Sequence, residues 1–430
     1  MRVVVLGAGI IGTCSAWHLL QAGHEVTLVD RQSDAALETS FANAAQISVG
    51  YSVPWAHPDT PLKALGWMLQ NQAPLLLRPQ WDRAQWSWLL RFLRQCTHGA
   101  FAHNLRQLVA LARYSQQALQ DICAQTGIEY ARSQRGIALY CTDAASLQGA
   151  ERVSAMVRAL GVPRRALNRD ELLQLEPALQ PFAERLVGGC YTPTDEHGDA
   201  RVFTQALAGR CQGAGAQLLY EQHIEHLALE GGVLKRAVLK HQHTGVTRVL
   251  QADAFVLACG SDSVALAQPL GLKLPVYPCK GYSATLALLQ PERAPNISLI
   301  DDECKIAVSR LGDQLRVAGT LELAGMDRAL DTPLARARCA RLLQRIETVF
   351  PGVADTRLPE AGGQPQFWCG LRPTTPSNVP LIGPSRIPGL WLNVGHGTLG
   401  WTLGPGSGRA LALRMSGQNP NINFSFLGLD

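Results

Sequence analysis

Four residues near the N terminus have the types and spacing to hold a dinucleotide. Gly7, Gly9 and Gly12 form a G-x-G-x-x-G pattern, and Asp30 follows at the end of the next apolar run. Gly7 permits a tight turn, Gly9 lets a pyrophosphate approach the backbone, and Gly12 allows a helix to pack closely on a strand. The unpaired N–H groups at the start of that helix would face the phosphates. Asp30 can accept hydrogen bonds from the adenosine ribose hydroxyls, and an acid there disfavours the 2′-phosphate of NADP. The pattern alone does not separate FAD from NAD.

Further stretches have chemistry to offer. Thr39 to Ser48 is rich in small and hydroxyl residues, and Ser40 and Asn43 could pass an anion, or simply cap a short helix. Gly260 stands between Cys259 and Ser261, where a strand delivers small residues to its carboxyl end. Arg372, in Gly370-Leu-Arg-Pro373, could grip a carboxylate with two parallel bonds or join two elements by a salt bridge. Gly395-His-Gly-Thr-Leu-Gly-Trp-Thr402 is a second glycine-rich turn before a helix, again implying close backbone approach to a ligand.

The elements that must position these residues are legible. Arg2–Leu6, Glu25–Val29, Ala254–Ala258 and Leu390–Asn393 read as buried strands, and Thr13–Ala22 as the helix behind the first glycine turn. Gly136–Cys141 and Leu186–Thr194 read as strands, with the polar loop Asp195–Asp199 after the latter. Leu274–Leu288 and Lys305–Ala318 alternate like antiparallel strands. Helices are expected over much of 61–126, and over 145–160, 202–214, 333–349 and about 402–415. Glycine turns at both ends suggest one nucleotide domain built from both termini, with the other segments inserted between.

Composition narrows the class. With 47% hydrophobic and 17% charged residues the chain is globular with a sizeable core. The net charge of +5 is modest over 430 residues and lacks a long basic block, so nucleic-acid binding is not suggested. Eleven scattered cysteines without a C-x-x-C pair point to free thiols in a reducing compartment and to no metal site. The apolar start lacks a basic n-region and a cleavage site, so it is not read as a signal peptide. No run of eighteen apolar residues is present. Trp67, Trp81, Trp86 and Trp88 lie in a stretch where Lys63, Arg78, Arg83, Arg91 and Arg94 face only Asp82. Such a segment could rest on an anionic membrane or pack its aromatics inward as a cap.

Taken together, Gly7–Gly12, Glu38-Thr-Ser with Ala42-Asn-Ala, Gln46-Ile-Ser, Pro278–Ser283, Gly370–Pro373 and Asn393–Thr402 carry a resemblance. The chain resembles the bacterial D-amino-acid dehydrogenases, in the flavoprotein superfamily that includes D-amino-acid oxidase and glycine oxidase. The resemblance spans nearly the whole chain. It implies an α/β (overall α+β) fold: a Rossmann-like FAD-binding domain with an inserted substrate domain built on a six-stranded antiparallel sheet. The expected segments are 1–50, 170–262 and 365–430 for the FAD side, and 51–169 and 263–364 for the substrate side.

The resemblance implies non-covalent FAD. The cofactor contacts are expected from Gly7, Gly9, Ile10, Ile11, Gly12, Asp30, Arg31, Ser40, Asn43, Ala44, Gln46, Ile47, Ile224, Gly260, Gly395, His396, Gly397, Thr398, Leu399, Gly400, Trp401 and Thr402. Arg372 matches the arginine that clamps the substrate carboxylate, and Gln46, Tyr51 and Tyr282 are the further candidates for the catalytic pocket. His396 is not assigned as a base. The implied reaction is oxidation of a D-amino acid such as D-alanine to a 2-oxo acid and ammonia, with a quinone or other electron-transfer acceptor. A cytoplasmic location is expected, peripherally on the inner membrane. The alternatives are a secondary amine substrate such as D-proline, hydroxyproline or sarcosine, or a flavin-binding subunit without activity of its own. Four positions depart from the family pattern: Ala45 where glycine is usual, Ser377-Asn378 for Asp-Gly, and Val49 for a small residue or proline.

Overall fold

The computed structural model describes residues 1–61 and 75–428. Two sheets organise the chain. The smaller joins β1 (Arg2–Leu6), β2 (Glu25–Val29), β9 (Gln217–Leu219), β13 (Ala254–Leu257), β19 (Leu381–Pro384) and β20 (Leu390–Val394) in the order β19-β20-β13-β1-β2-β9. It is parallel except for the β19–β20 pair. Its helices are α1 (Ile10–Gln21), α5 (Ala200–Gly213) and α7 (Gly400–Met415). The strands from both termini therefore share one layer, as the two glycine turns suggest. A three-stranded meander, β10 (Gln222–Glu230), β11 (Val233–His241) and β12 (Thr247–Gln251), covers the other face.

Glycines let the helices of this half close up. A Cβ on Gly408 would lie 2.6 Å from the Cys14 carbonyl carbon in α1. One on Gly406 would lie 2.6 Å from Ser115 in α3 (His98–Thr126). The small-residue run in α7 is thus a packing seam, and its length follows from the two helices it must touch.

The larger sheet has nine strands. Its order is β18 (Gln366–Thr374), β14 (Tyr277–Ala287), β17 (Gln314–Leu323), β16 (Ile306–Leu311), β15 (Ser298–Asp301), β5 (Ile137–Cys141), β7 (Gly188–Thr192) and β6 (Arg165–Asn168), with β4 (Leu75–Leu77) added on β17. A two-residue ladder, β3 (Gln46–Ile47) with β8 (Glu196–His197), lies between the sheets. Helix α6 (Pro333–Val349) packs Leu342, Leu343 and Ile346 into the core on one face of the large sheet. Helices α2 (Arg83–Gln95) and α4 (Ala144–Ala159) complete the outer layer.

The structure departs from the expectation in extent. The large sheet is mainly antiparallel but has nine strands rather than six, with parallel pairs β15–β5 and β17–β4. The stretch 305–318 is not one strand but the β16–β17 hairpin, turning at Gly312 with φ +62°. The segment boundaries also fall differently. Gly188–Thr192 and Gln366–Thr374, expected on the FAD side, pair within the large sheet. Helix α3, expected on the substrate side, buries Leu105, Leu108 and Leu111 in the core of the smaller sheet. Strand partners are long-range choices, and a local apolar pattern does not specify them. Lys63 and Trp67 lie outside the described residues.

Candidate functional site

The N-terminal turn has the geometry that its residue types predict. Gly7 takes φ +104°, and a Cβ there would sit 2.6 Å from the Ala258 carbonyl oxygen. A Cβ on Gly12 would fall 1.7 Å from the Gly7 carbonyl oxygen, so only glycine closes this turn. Gly9 differs: a Cβ there would meet only Ser40 Oγ at 3.5 Å, so its bare backbone borders open space. Helix α1 begins at Gly9 with no side-chain cap, leaving N–H groups for an anion. Ser40 Oγ accepts from Ile10 N at 3.1 Å and ties the next segment to this helix start.

Asp30 closes the cradle. Its Oδ2 accepts from Ala8 N at 2.6 Å and its Oδ1 from Gln32 N at 2.9 Å. Burial raises its pKa, and these two N–H groups oppose the rise. Arg31 is spoken for, donating to Glu38 at 2.7 Å and to Asp262 at 3.0 Å. Arg328, from the loop after β17, also donates to Asp262 at 3.0 Å, so a latch of charges crosses between the halves. Gly260 takes φ +56° with nothing within 4 Å of a Cβ. An open glycine at each of two strand ends, an uncapped helix and a fixed carboxylate suit the phosphates and ribose of a dinucleotide.

From Ala42 to Gln46 the chain runs as a strap over the face of the large sheet, with one link per strand. Ser283 Oγ on β14 donates to Ala42 O at 2.6 Å. Arg316 Nη1 on β17 donates to Asn43 O at 3.1 Å. Ser309 Oγ on β16 donates to Ala44 O at 2.9 Å. Gln46 Nε2 donates to Ser298 Oγ and Leu299 O on β15, at 2.7 and 3.2 Å. Ala45 sits at φ +60°, the left-handed region where the family pattern has glycine, and Asn43 Oδ1 accepts from its N–H at 2.9 Å. Asn378 likewise takes φ +63°, and its Oδ1 accepts from Trp55 N at 2.7 Å. Both departures from glycine therefore fall where glycine's freedom is used.

Arg372 occupies β18 opposite Cys279. Its guanidinium lies against Gly281, where a Cβ would be 2.2 Å from Cζ. Its Nη1 donates to Thr320 O at 3.3 Å, and among the described residues no carboxylate pairs with it. Burial lowers its pKa to about 10, so it stays charged at neutral pH. The strand that carries it is braced from the other half, since Thr39 Oγ1 and Ser261 Oγ both donate to Leu371 O. A desolvated cation without an anion is costly unless a ligand completes it. The salt-bridge reading of Arg372 thus finds no partner, and the carboxylate reading keeps its ground.

The C-terminal turn meets the same seam. His396 bridges to Thr374 of β18, and Thr402 Oγ1 accepts from Ser48 N at 3.1 Å. Helix α7 also starts without a side-chain cap. Burial drives the His396 pKa down to about 3, so the ring is neutral. Ser407 Oγ donates to Leu403 O at 2.6 Å, so the 3.0 Å contact with His396 has Nε2–H as the donor. His396 is a structural hinge pin between turn and helix rather than a proton acceptor.

Several expected site residues fall elsewhere. Tyr282 follows Gly281 and points to the opposite face, into the core beneath α6, where its hydroxyl donates to Glu322 at 2.7 Å. Strand alternation therefore removes it from Arg372. Tyr51 packs on Ile137, Leu139 and Ile300 of β5 and β15, and Gln46 is bound to β15. Four strand spacings separate β15 from β18, roughly 20 Å of sheet. Trp401 turns into the core beside Tyr130 and Phe203 and donates to Gly198 O at 3.0 Å, so only its backbone can face a ligand. Ile224 packs under β1, β2 and β13. Residues that sequence reasoning missed are Arg316, Ser309 and Ser298, whose polar side chains sit at inward strand positions; that mismatch with burial was the signal available.

The parallel sheet, the paired glycine turns and the strap define a dinucleotide-dependent oxidoreductase. The chain belongs to the family of FAD dependent oxidoreductases (DAO), whose model matches residues 2–414. It is therefore an enzyme that uses FAD. It is 46% identical over 427 residues to a D-amino acid dehydrogenase of Dechloromonas aromatica (strain RCB), covering 99% of this chain and 100% of the relative. It is 42% identical over 430 residues to a D-amino acid dehydrogenase of Bradyrhizobium diazoefficiens, covering 100% of this chain and 98% of the relative. Among solved structures, glycine oxidase from Bacillus cereus ATCC 14579 shares the fold with TM-score 0.71 at 20% identity, over 100% of this chain and 99% of that one. L-proline dehydrogenase from P. horikoshii matches with TM-score 0.71 at 16% identity, over 97% and 94%.

Proposed function

We propose that this flavoprotein is a D-amino-acid dehydrogenase, converting a D-amino acid such as D-alanine to a 2-oxo acid and ammonia with a quinone or other electron-transfer acceptor. The observation that carries the reading is Arg372, a half-buried guanidinium on the strap side of the sheet with no carboxylate partner among the described residues. The full-length relatives named D-amino acid dehydrogenase support the substrate class. Arg372 would take the α-carboxylate through two parallel N–H···O bonds, which fixes the plane of the substrate. Gly281 leaves room for that guanidinium. FAD, when bound, supplies the acceptor for the two electrons released at the α-carbon.

In this reading the turn Gly7–Gly12, the N-terminus of α1 and Asp30 hold the pyrophosphate and ribose. The strap and the turn Gly395–Thr402 flank the rest of the cofactor, with Arg31 acting through Glu38 and Asp262 as a closing pair rather than by contact. The substrate amine reacts neutral. Catalysis rests on orientation, and we assign His396 no proton. The test is the visible spectrum of the FAD-loaded chain on anaerobic addition of D- and L-alanine. Bleaching with D-alanine alone is expected. Bleaching only with proline or sarcosine would replace the reading with secondary-amine oxidation, and no bleaching with any amine would favour a flavin-binding subunit.

We further propose that α2 docks on an anionic membrane surface, on the cytoplasmic face. Trp88 and Phe92 pack inward, while Trp86, Leu90 and Leu93 on the outer face are 47%, 59% and 50% exposed. Trp81 just ahead of the helix is fully exposed, and Arg83, Arg91 and Arg94 add positive charge. A helix apolar on two faces needs a second apolar surface. No described helix is long and apolar enough to cross a membrane. Vesicles containing phosphatidylglycerol should carry the protein on flotation at low salt; recovery of all protein in the unbound fraction would exclude docking.

A further inference from the structure

Gly50, at the end of the turn that leaves the strap, is gripped at both of its backbone polar groups. Its N–H lies 3.1 Å from both Asp195 carboxylate oxygens. Its carbonyl oxygen accepts from Arg164 Nη1 at 2.7 Å. Asp195 is 1% exposed and Arg164 3%. The same guanidinium lies over the Tyr51 ring, 5.6 Å from its centre. Thr192, three residues before Asp195, packs so tightly that a Cβ on Gly50 would meet its Oγ1 at 2.1 Å. Upstream in the same turn, Ser48 N donates to Thr402 Oγ1 at the start of α7. Three separate parts of the chain, ahead of β6, after β7 and in α7, thus converge on four residues.

We propose that Asp195, with Arg164, is a positioning residue for the cofactor site: it fixes the backbone of Gly50 and thereby the placement of Ser48–Tyr51 beside the cofactor. The proposal rests on the reading of the strap as cofactor-facing. Two buried charges are spent on the N–H and the C=O of one residue, which lie in successive peptide groups and serve no helix or sheet ladder, although water or neutral side chains would satisfy them at lower cost. The turn contains a glycine with no room for a side chain, so its shape is set from outside. A carboxylate bound to the Gly50 N–H, with the compensating cation on the Gly50 carbonyl of the next peptide, grips more strongly while charged.

Charge on Asp195 is itself conditional. Burial pushes its pKa up to about 7, against the pull of the Gly50 and Val49 amides and of Arg164. The other titratable and charged groups around it are Glu196 and His197 on its own segment, with Glu196 paired to Arg132 at 2.6 Å, and Tyr51 beside Gly50. Because the folded value lies above the unfolded one, this group favours folding at low pH, and that contribution is lost as pH rises towards 7. The clamp therefore tightens on the peptide as it becomes costlier to the fold.

The test uses the full chain with Asp195→Asn, Asp195→Ala and Arg164→Gln. Visible circular dichroism and the dissociation constant of bound FAD are followed from pH 5.5 to 9, alongside thermal unfolding of the cofactor-free chain. Wild type should show a dichroism transition near neutral pH. Asp195→Asn, which keeps an acceptor but no charge, should abolish that transition and become the more stable form above pH 7. Asp195→Ala should weaken FAD binding roughly tenfold or more, the loss of one charged hydrogen bond, and Arg164→Gln should alter the dichroism at every pH. Identical pH profiles in wild type and Asp195→Asn, or unchanged FAD binding and dichroism in Asp195→Ala, would overturn the proposal. If wild type binds no FAD, the strap reading fails instead, and the unfolding profiles alone judge the clamp: equal pH dependence in wild type and Asp195→Asn would sink it.

Discussion

Gly281 on β14 and Arg372 on β18 are diagonal neighbours, and the guanidinium fills the space where a Gly281 side chain would begin, 2.2 Å from an ideal Cβ. The glycine is thus part of the seat of Arg372. Gly281→Ala should leave a folded flavoprotein in which Arg372 is pushed off its line. The expected result is a rise in KM for the D-amino acid of roughly ten- to a hundredfold, with FAD binding kept. Steady-state kinetics against flavin content will separate the two, and an unchanged KM would remove Gly281 from the site.

Arg372→Lys keeps the charge but loses the two-pronged contact. Substrate affinity should fall by about tenfold to a hundredfold, the worth of one charged hydrogen bond. Thermal stability should not fall, because among the described residues the guanidinium has no carboxylate partner to abandon. Kinetics within twofold of wild type would refute the assignment of the carboxylate clamp.

Ala45 carries a Cβ at φ +60°. A left-handed conformation costs an L-residue about 1 kcal/mol or more. Ala45→Gly should therefore stabilise the protein by up to about 1 kcal/mol, read as a shift in urea midpoint. Ala45→Val should be clearly destabilising, since branching at Cβ worsens the same strain.

Arg316 ties the strap to the large sheet and faces Asp199 at 3.6 Å. Arg316→Gln should cost roughly 2–3 kcal/mol, leaving Asp199 and the Asn43 carbonyl short of partners. FAD should also dissociate faster, which fluorescence of released flavin will report. A variant that loses stability but retains wild-type flavin affinity would limit Arg316 to folding.

His197 and His396 are both 2% exposed, and burial drives their pKa values down to about 4 and about 3. Folded values below the unfolded one mean that stability is whole above about pH 6.5 and is lost as pH falls through the window below it. Each histidine contributes up to about 1.4 kcal/mol per pH unit in that window. Acid unfolding should therefore begin below pH 6.5, and His396→Gln, if folded, should shallow the slope. Neither ring should produce a limb in the activity profile between pH 7 and 9.

The sequence by itself determined the parallel unit at the N terminus, the dinucleotide turn, the participation of both termini in one sheet, and Arg372 as a carboxylate-binding candidate. These are legible because a tight turn needs glycine, a buried strand needs an apolar run, and a planar fork needs arginine; each requirement is local. The family resemblance, rather than any local signal, marked positions 45 and 378 as places where glycine is usual, and both have positive φ. Tertiary structure alone decided which strand pairs with which, so that Gly188–Thr192 and Gln366–Thr374 joined the large sheet. It turned Tyr282 away from Arg372, packed Tyr51 and Gln46 against strands far from β18, and brought Asp195 and Arg164 onto the backbone of one residue, Gly50. Those outcomes depend on register and on contacts between residues far apart in the chain, and side-chain direction alternates with every residue along a strand. Residue types state what chemistry is available; the pairing of strands determines which of them meet.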